Sequence, residues 1–274
     1  MAGLATLLAP PLLAATRILN ALTGGHGHRL LLLHDVPPEE MAALDRLAGS
    51  LTLAPPAELE ALLDGRARPR AATTPTFDDG FASNLEAAAV VEGHGGRAIF
   101  FVCPGLIDLP WPEQRAAIAA NVFNGRRRPE DIPERMRLMT WDELRGLAAR
   151  GHVIANHTMS HRRLTTLDAA GVEAEIGQAA ARLAAELGAK GDWFAFPFGD
   201  IGSIGAEALT IAARHHRFCR SGIRGPNRNG TSPAAVLADH VDLAAPVAYQ
   251  RLAAEGGLDW RYRAARRRLA EYTV

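Results

Sequence analysis

The stretch that decides the fold is Thr73-Thr74-Pro75-Thr76-Phe77-Asp78-Asp79-Gly80-Phe81. A short β-prone run, Thr76-Phe77, stops at two adjacent carboxylates and a glycine, residue types that disfavour continuing a strand. Asp78 and Asp79 therefore belong at the C-terminal end of a strand, where alternating α/β folds bind ligands. Neighbouring carboxylates repel one another and cost desolvation unless a positive charge sits beside them. A divalent cation meets that need: one carboxylate ligates it and the other is left to handle protons. Taken alone, Asp-Asp-Gly is also an ordinary solvated turn.

A second stretch, His152-Val153-Ile154-Ala155-Asn156-His157-Thr158-Met159-Ser160-His161, is again strand-like and ends in two histidines four residues apart. Two neutral imidazoles suit a zinc-class metal. With one Asp they make a three-ligand set that leaves positions open for water and substrate, the form of catalytic rather than structural sites.

Thr76-Phe77-Asp78-Asp79-Gly80 and His157-Thr158-Met159-Ser160-His161 resemble the first two motifs of polysaccharide deacetylases of carbohydrate esterase family four. Ala195-Phe196-Pro197-Phe198-Gly199 is similar to the third, Arg-x-Pro-Tyr/Phe, with Ala195 where the family has Arg. The resemblance runs from about residue 30 to about 245, and the order and spacing of the motifs make it specific. It implies that Asp78 is the general base, that Asp79, His157 and His161 hold one divalent ion (Zn2+ first, Co2+ or Mn2+ also suitable), and that Phe81, Pro197 and Phe198 contact substrate. It also implies a reaction: hydrolysis of acetamido groups on a poly- or oligosaccharide, with acetate released and the backbone N–H of Phe198 stabilising the oxyanion. The family's Arg orients the catalytic Asp and keeps it ionised. Here Arg220, Arg224 and Arg228 are the candidates to replace it.

Leu30-Leu31-Leu32-Leu33-His34-Asp35-Val36-Pro37 reads as a buried parallel strand ending in polar groups. Many family members carry a Leu-x-His motif late in the chain, whose His is the general acid. Some exopolysaccharide deacetylases resemble a circular permutation in which that strand leads. Leu32-Leu33-His34 fits the permuted form, which makes His34 the expected acid.

Helix–strand alternation continues to the C-terminus. Helices are expected at Pro38–Leu47, Pro56–Leu63, Asn84–Glu92, Trp141–Arg150 (N-cap Thr140), Ala169–Leu187 and Ile204–His215, and mainly over Tyr249–Tyr272. Strands are expected at Leu51–Leu53, Arg97–Val102, Trp193–Phe198, Phe218–Arg220 and Ala238–Leu243. Residues 108–137, rich in Pro and Arg, could cover a barrel mouth. The pattern predicts a single domain: an α/β, distorted, incompletely closed (β/α)7-type barrel over residues 29–274.

Residues 1–28 read as an apolar segment and a connector. Met1–Leu22 is interrupted by Pro10-Pro11, lacks the basic start of a secretory signal, and is too short and broken to span a bilayer. It could rest on the domain or make peripheral membrane contact. Gly24–His28 reads as a solvated linker. A cytoplasmic enzyme is expected, with membrane association as the alternative.

The 274 residues are 48% hydrophobic, enough for a sizeable core, and 30 basic residues balance 30 acidic ones, which gives no sign of a nucleic-acid partner. Cys103 and Cys219, far apart and outside any Cys-x-x-Cys, read as buried thiols. Two other functions fit the motifs: a metal-dependent amidohydrolase acting on a small non-sugar amide, and a non-catalytic carbohydrate-binding descendant, which Ala195 keeps open.

Overall fold

The computed structural model describes residues 2–23 and 27–273, with side chains over 8–22 and 27–273. Seven strands lie in the order β6-β5-β4-β3-β2-β1-β7, and every paired neighbour is parallel. They are β1 (His28–Leu33), β2 (Ala72–Phe77), β3 (Ile99–Val102), β4 (Val153–Asn156), β5 (Trp193–Ala195), β6 (Phe218–Arg220) and β7 (Asp239–His240). The sheet curls into a half-barrel. One bridge, Arg220 to Val236, joins the approach to β7 with the far edge strand. That is the incompletely closed (β/α)7-type barrel expected.

The strand residues alternate between two cores, as a period of two requires. Leu30, Leu32, Ile99, Phe101, Ala155, Trp193, Ala195 and Phe218 fill the barrel interior, which Leu59 and Leu62 of one helix plug from below. Leu31, Leu33, Phe77, Phe100, Val102 and Ile154 face outward onto the helical layer. The helices are α1 (Ala2–Thr23), α2 (Pro38–Gly49), α3 (Pro56–Leu63), α4 (Asn84–Gly93), α5 (Pro104–Ile107), α6 (Trp111–Ala117), α7 (Trp141–Ala149), α8 (Ala169–Glu173), α9 (Ala179–Leu187), α10 (Ala206–His215), α11 (Val247–Ala254) and α12 (Arg263–Glu271). The plug is α3, held by an indole-to-carboxylate bond from Trp193 to Glu60 of 2.8 Å. A capping box formed by Thr140 and Glu143 starts α7. The long helix expected over Ala169–Leu187 is continuous, with a π-helical turn at Ala174–Gln178 joining α8 to α9.

Several elements differ from expectation. Leu51–Leu53 forms no strand: only Leu53 bridges, to Thr73. Three expected strands are shorter than their apolar runs, because side-chain burial extends beyond the ladder bonds: Arg97–Val102 shrinks to Ile99–Val102, Trp193–Phe198 to Trp193–Ala195, and Ala238–Leu243 to Asp239–His240. The strand of the leading leucine run instead begins earlier, at His28, and ends at Leu33. His28 is therefore no linker residue. It is buried in β1, with Nε2 2.8 Å from Thr74 Oγ1. Since Thr74 donates its own hydroxyl proton to the Ala54 carbonyl, Nε2 must be the donor. The rest of the expected connector, residues 24–26, lies outside the described residues. Nor does Pro10-Pro11 break α1. An internal proline costs a helix roughly 3 kcal/mol, and packing on α11 through Ala9, Leu13 and Leu252 offsets that. Among the described residues, no helix is long and apolar enough to cross a membrane.

Candidate active site

The strand register sets the site. Leu33 pairs with Phe77, so His34 and Asp78 emerge side by side. Val102 pairs with Asn156, so His157 leaves at the next step along β4. Ala195 pairs with Arg220. His34, Asp78 and His157 line a cavity of ≈ 590 Å³ at the C-terminal end of the barrel.

Asp79, His157 and His161 come together with each offered ligand atom within 4.8 Å of the others. Asp79 Oδ1 is 3.2 Å from His161 Nε2 and 3.5 Å from His157 Nε2. Donors around a zinc-like ion with bonds of about 2.1 Å stand ~3.4 Å apart, so the spacing fits. The ring tautomers fit too. His157 Nδ1 lies 2.9 Å from the Ala195 carbonyl and His161 Nδ1 3.2 Å from that of Asn121. Carbonyls only accept, so each Nδ1 donates, and in the neutral ring that leaves each Nε2 lone pair directed inward. Burial alone would raise the Asp79 carboxyl, but the two imidazoles hold it well below the usual carboxylate range. His161 is correspondingly raised, its burial outweighed by Asp79. Positive charge belongs among these three atoms.

Strained backbone builds this arrangement. Among the described residues, five non-glycines have positive φ, and four of them are site residues: Asp79 (72°), Thr158 (68°), His161 (61°) and Phe198 (63°). Such conformations persist where surrounding bonds over-determine them. Asn156 Oδ1 accepts from Thr158 N–H, and Thr158 Oγ1 accepts from His161 N–H. The buried Glu175 carboxylate accepts from both the N–H and the hydroxyl of Ser160. The loop between the two histidines is clamped from β4 on one side and the π-helical turn on the other.

Asp78 is buried, with Oδ2 2.5 Å from Arg220 Nη2 and 3.7 Å from His157 Nε2. Among the described residues its Oδ1 has no hydrogen-bond partner. Of the three arginines considered in place of Ala195, Arg220 is the one that reaches it, with its guanidinium over the Phe101 ring at 4.8 Å. Arg224 instead bonds backbone carbonyls of Ala253 and His240. The guanidinium thus comes from β6, directly beside the β5 position where the motif would carry it.

His34 is exposed at the mouth and lines the cavity together with Phe81, Phe198 and His240. The His34 and His240 rings are 5.6 Å apart. His240 stands exposed at the mouth; partial desolvation there, then the neighbouring charges of His34 and Arg224, lowers its pKa below the usual histidine range. Pro197 is buried and lies off the cavity wall, so its part is in shaping the turn. The Phe198 ring packs edge-on to His161 at 4.9 Å, with Arg163 over its other face at 4.4 Å. The insertion at 108–137 does cover the mouth, where Val122, Phe123, Arg127, Arg135 and Met136 complete the wall. Sequence reasoning missed His240, Asn121 and Glu175. For the first two, the available signal was position: one ends a strand and the other lies in the insertion over the mouth.

A parallel half-barrel with an acid–imidazole cluster and a guanidinium-tethered carboxylate at its C-terminal mouth defines a hydrolase of the carbohydrate esterase type. The chain belongs to the polysaccharide deacetylase family, whose model matches residues 66–216, and it is an N-deacetylase of polysaccharide. Its fold is similar to that of IcaB from Ammonifex degensii, with a TM-score of 0.65, 22% identity, and coverage of 85% of this chain and 98% of that one. The Streptococcus pyogenes deacetylase PplD, solved with acetate, gives 0.62 at 16% identity over 83% and 98%. A de-N-acetylase from Aggregatibacter actinomycetemcomitans gives 0.59 at 15% over 80% and 96%. No curated protein matches the chain in sequence.

Proposed function

We propose that Asp78 is the general base, His34 the general acid, and Asp79, His157 and His161 the ligands of one divalent ion, with zinc the best fit to two imidazoles and a carboxylate. The substrate is an acetamido sugar within a poly- or oligosaccharide, and the products are acetate and a free amine. The observation that carries this reading is the division of labour between the paired aspartates. Asp79 Oδ1 faces two bare imidazole nitrogens, whereas Asp78 is tethered through Oδ2 to Arg220 with Oδ1 left free.

When bound, the ion supplies carbonyl polarisation and a more acidic water. Asp78 Oδ1 would accept the proton of the attacking water as its oxygen bonds to the acetamide carbon. Arg220 fixes the other oxygen, so the acceptor lone pair stays aimed at the cavity. The Phe198 N–H, presented by its left-handed turn, donates to the developing oxyanion. His34, open to solvent at the neighbouring strand end, protonates the departing nitrogen and is reloaded from bulk water. With the acid on the first strand, this is the circularly permuted order of the motifs. Arg220 also answers the argument for a non-catalytic descendant, which rested on Ala195.

The test is acetate release from N-acetylglucosamine oligomers by metal-stripped protein, alone and with zinc, cobalt or manganese. Metal-restored release that disappears in Asp78→Asn, while that variant still binds metal, is the expected result. Undiminished turnover in Asp78→Asn would remove Asp78 from the mechanism.

A further inference from the structure

Helix α1 has two faces. One lies on the barrel: Ala9 and Leu13 are buried against Leu252, Arg17 pairs with Glu255 at 2.6 Å, and Asn20 donates to the Glu255 carbonyl. The other is apolar and open to solvent. Leu8, Leu12, Ile18, Leu19 and Leu22 are 48%, 45%, 62%, 60% and 79% exposed. Leu8, Leu12, Ala15 and Leu22 fall on one side at helical spacing. Among the described residues, the other large hydrophobics this exposed are Val247 and Trp260. Val247 opens α11, on which α1 rests. Trp260 lies a few residues beyond Gly257, and Gly257 approaches Thr16 of α1.

The exposed charge that follows Trp260 is mainly basic. Arg17 is the single charged residue of α1, and Glu255 meets it. Immediately after Trp260 come Arg261, Arg263, Arg267 and Arg268, all exposed. The only acidic residue of α12 is Glu271. Apolar helix face, exposed indole and arginine cluster form the combination that settles in the headgroup region of an anionic bilayer. A second copy of the chain fits less well, since a twofold contact sets the same patch against itself and brings like-charged arginines together.

We infer that the outer face of α1, with Trp260 and the α12 arginines, docks this enzyme peripherally on an anionic lipid surface. The geometry leaves catalysis unobstructed. Arg17, Asn20 and Ala21 line a cleft with Arg29, Ala72 and Thr73, at the N-terminal ends of β1 and β2. The catalytic cavity opens at the opposite end of the strands.

Flotation of the full chain with phosphatidylcholine vesicles, with and without phosphatidylglycerol, tests this independently of any deacetylation. Partition onto the phosphatidylglycerol vesicles is expected to weaken with salt. It should fall at least tenfold in Leu12→Asp/Ile18→Asp and severalfold in Arg263→Glu/Arg267→Glu. Both pairs are solvent-exposed, and an unchanged thermal midpoint verifies folding. Absence of partition by the parent chain, partition indifferent to both double variants, or a concentration-dependent dimer abolished by Leu12→Asp/Ile18→Asp without vesicle binding would each overturn the inference.

Discussion

Replacing Arg220 by Ala removes the guanidinium bonded to the buried Asp78 carboxylate. Asp78 and Arg220 are 3% and 1% exposed, and their oxygen and nitrogen are 2.5 Å apart. Breaking such a pair leaves an uncompensated charge and costs about 3–5 kcal/mol. In a chain of this size that lowers the thermal midpoint by roughly 10 °C. The chemical step should suffer separately, because a base free to rotate loses the ~10²–10⁴-fold that a positioned proton acceptor contributes. Arg220→Lys keeps the charge but not the planar fork, and it should fall between parent and Ala. The decisive variant is Arg220→Ala/Ala195→Arg. The two positions are register partners on adjacent strands, about 4.8 Å apart, so a guanidinium sent from β5 can reach the same carboxylate. The assay is acetate release per bound metal, measured below the midpoint of each variant. An Arg220→Ala protein that is folded, loaded with metal and within twofold of the parent rate would refute the reasoning. Recovery of at least tenfold in the double variant would establish that the position of the charge matters, not the residue that carries it.

Two further outcomes follow from the surroundings of the site. Glu175→Gln weakens the clamp on the Ser160 N–H and hydroxyl, and should reduce metal affinity about 10–100-fold, as loss of outer-shell support typically does, read by competition with a chromogenic chelator. Acid lability is the other. Burial depresses both His28 and His216 to about 4. A depressed histidine contributes stability above its unfolded value of 6.5 and loses it as pH falls through its folded one. Unfolding free energy should therefore drop between pH 6.5 and 4, by up to about 3 kcal/mol for each histidine. Denaturant midpoints across that range check this, and His28→Gln should flatten the slope.

The acid–imidazole cluster was legible because Asp79 and His157 stand just past the ends of β-prone runs and His161 follows four residues on. The barrel was legible because the runs alternate with helices. What the chain order hides is lateral. Arg220, Arg224 and Arg228 are equivalent as text, and only the β5–β6 register aims one of them at Asp78. Asn121 and Glu175 support His161 and Ser160 from segments 40 and 15 residues away, a relation with no periodicity to announce it. The continuity of α1 through Pro10-Pro11 was missed for a similar reason, since propensity favours a break and contact with α11 overrides it.

The pairing of Ala195 with Arg220 bears on how an active site can be inherited. A motif read along one strand records a vacancy at position 195, yet the cation is present one strand over, at the same height in the barrel. What persists is a point in space that several backbone positions can reach. In a parallel half-barrel each inner strand end borders two others, so a side chain can change its address and still reach the same point.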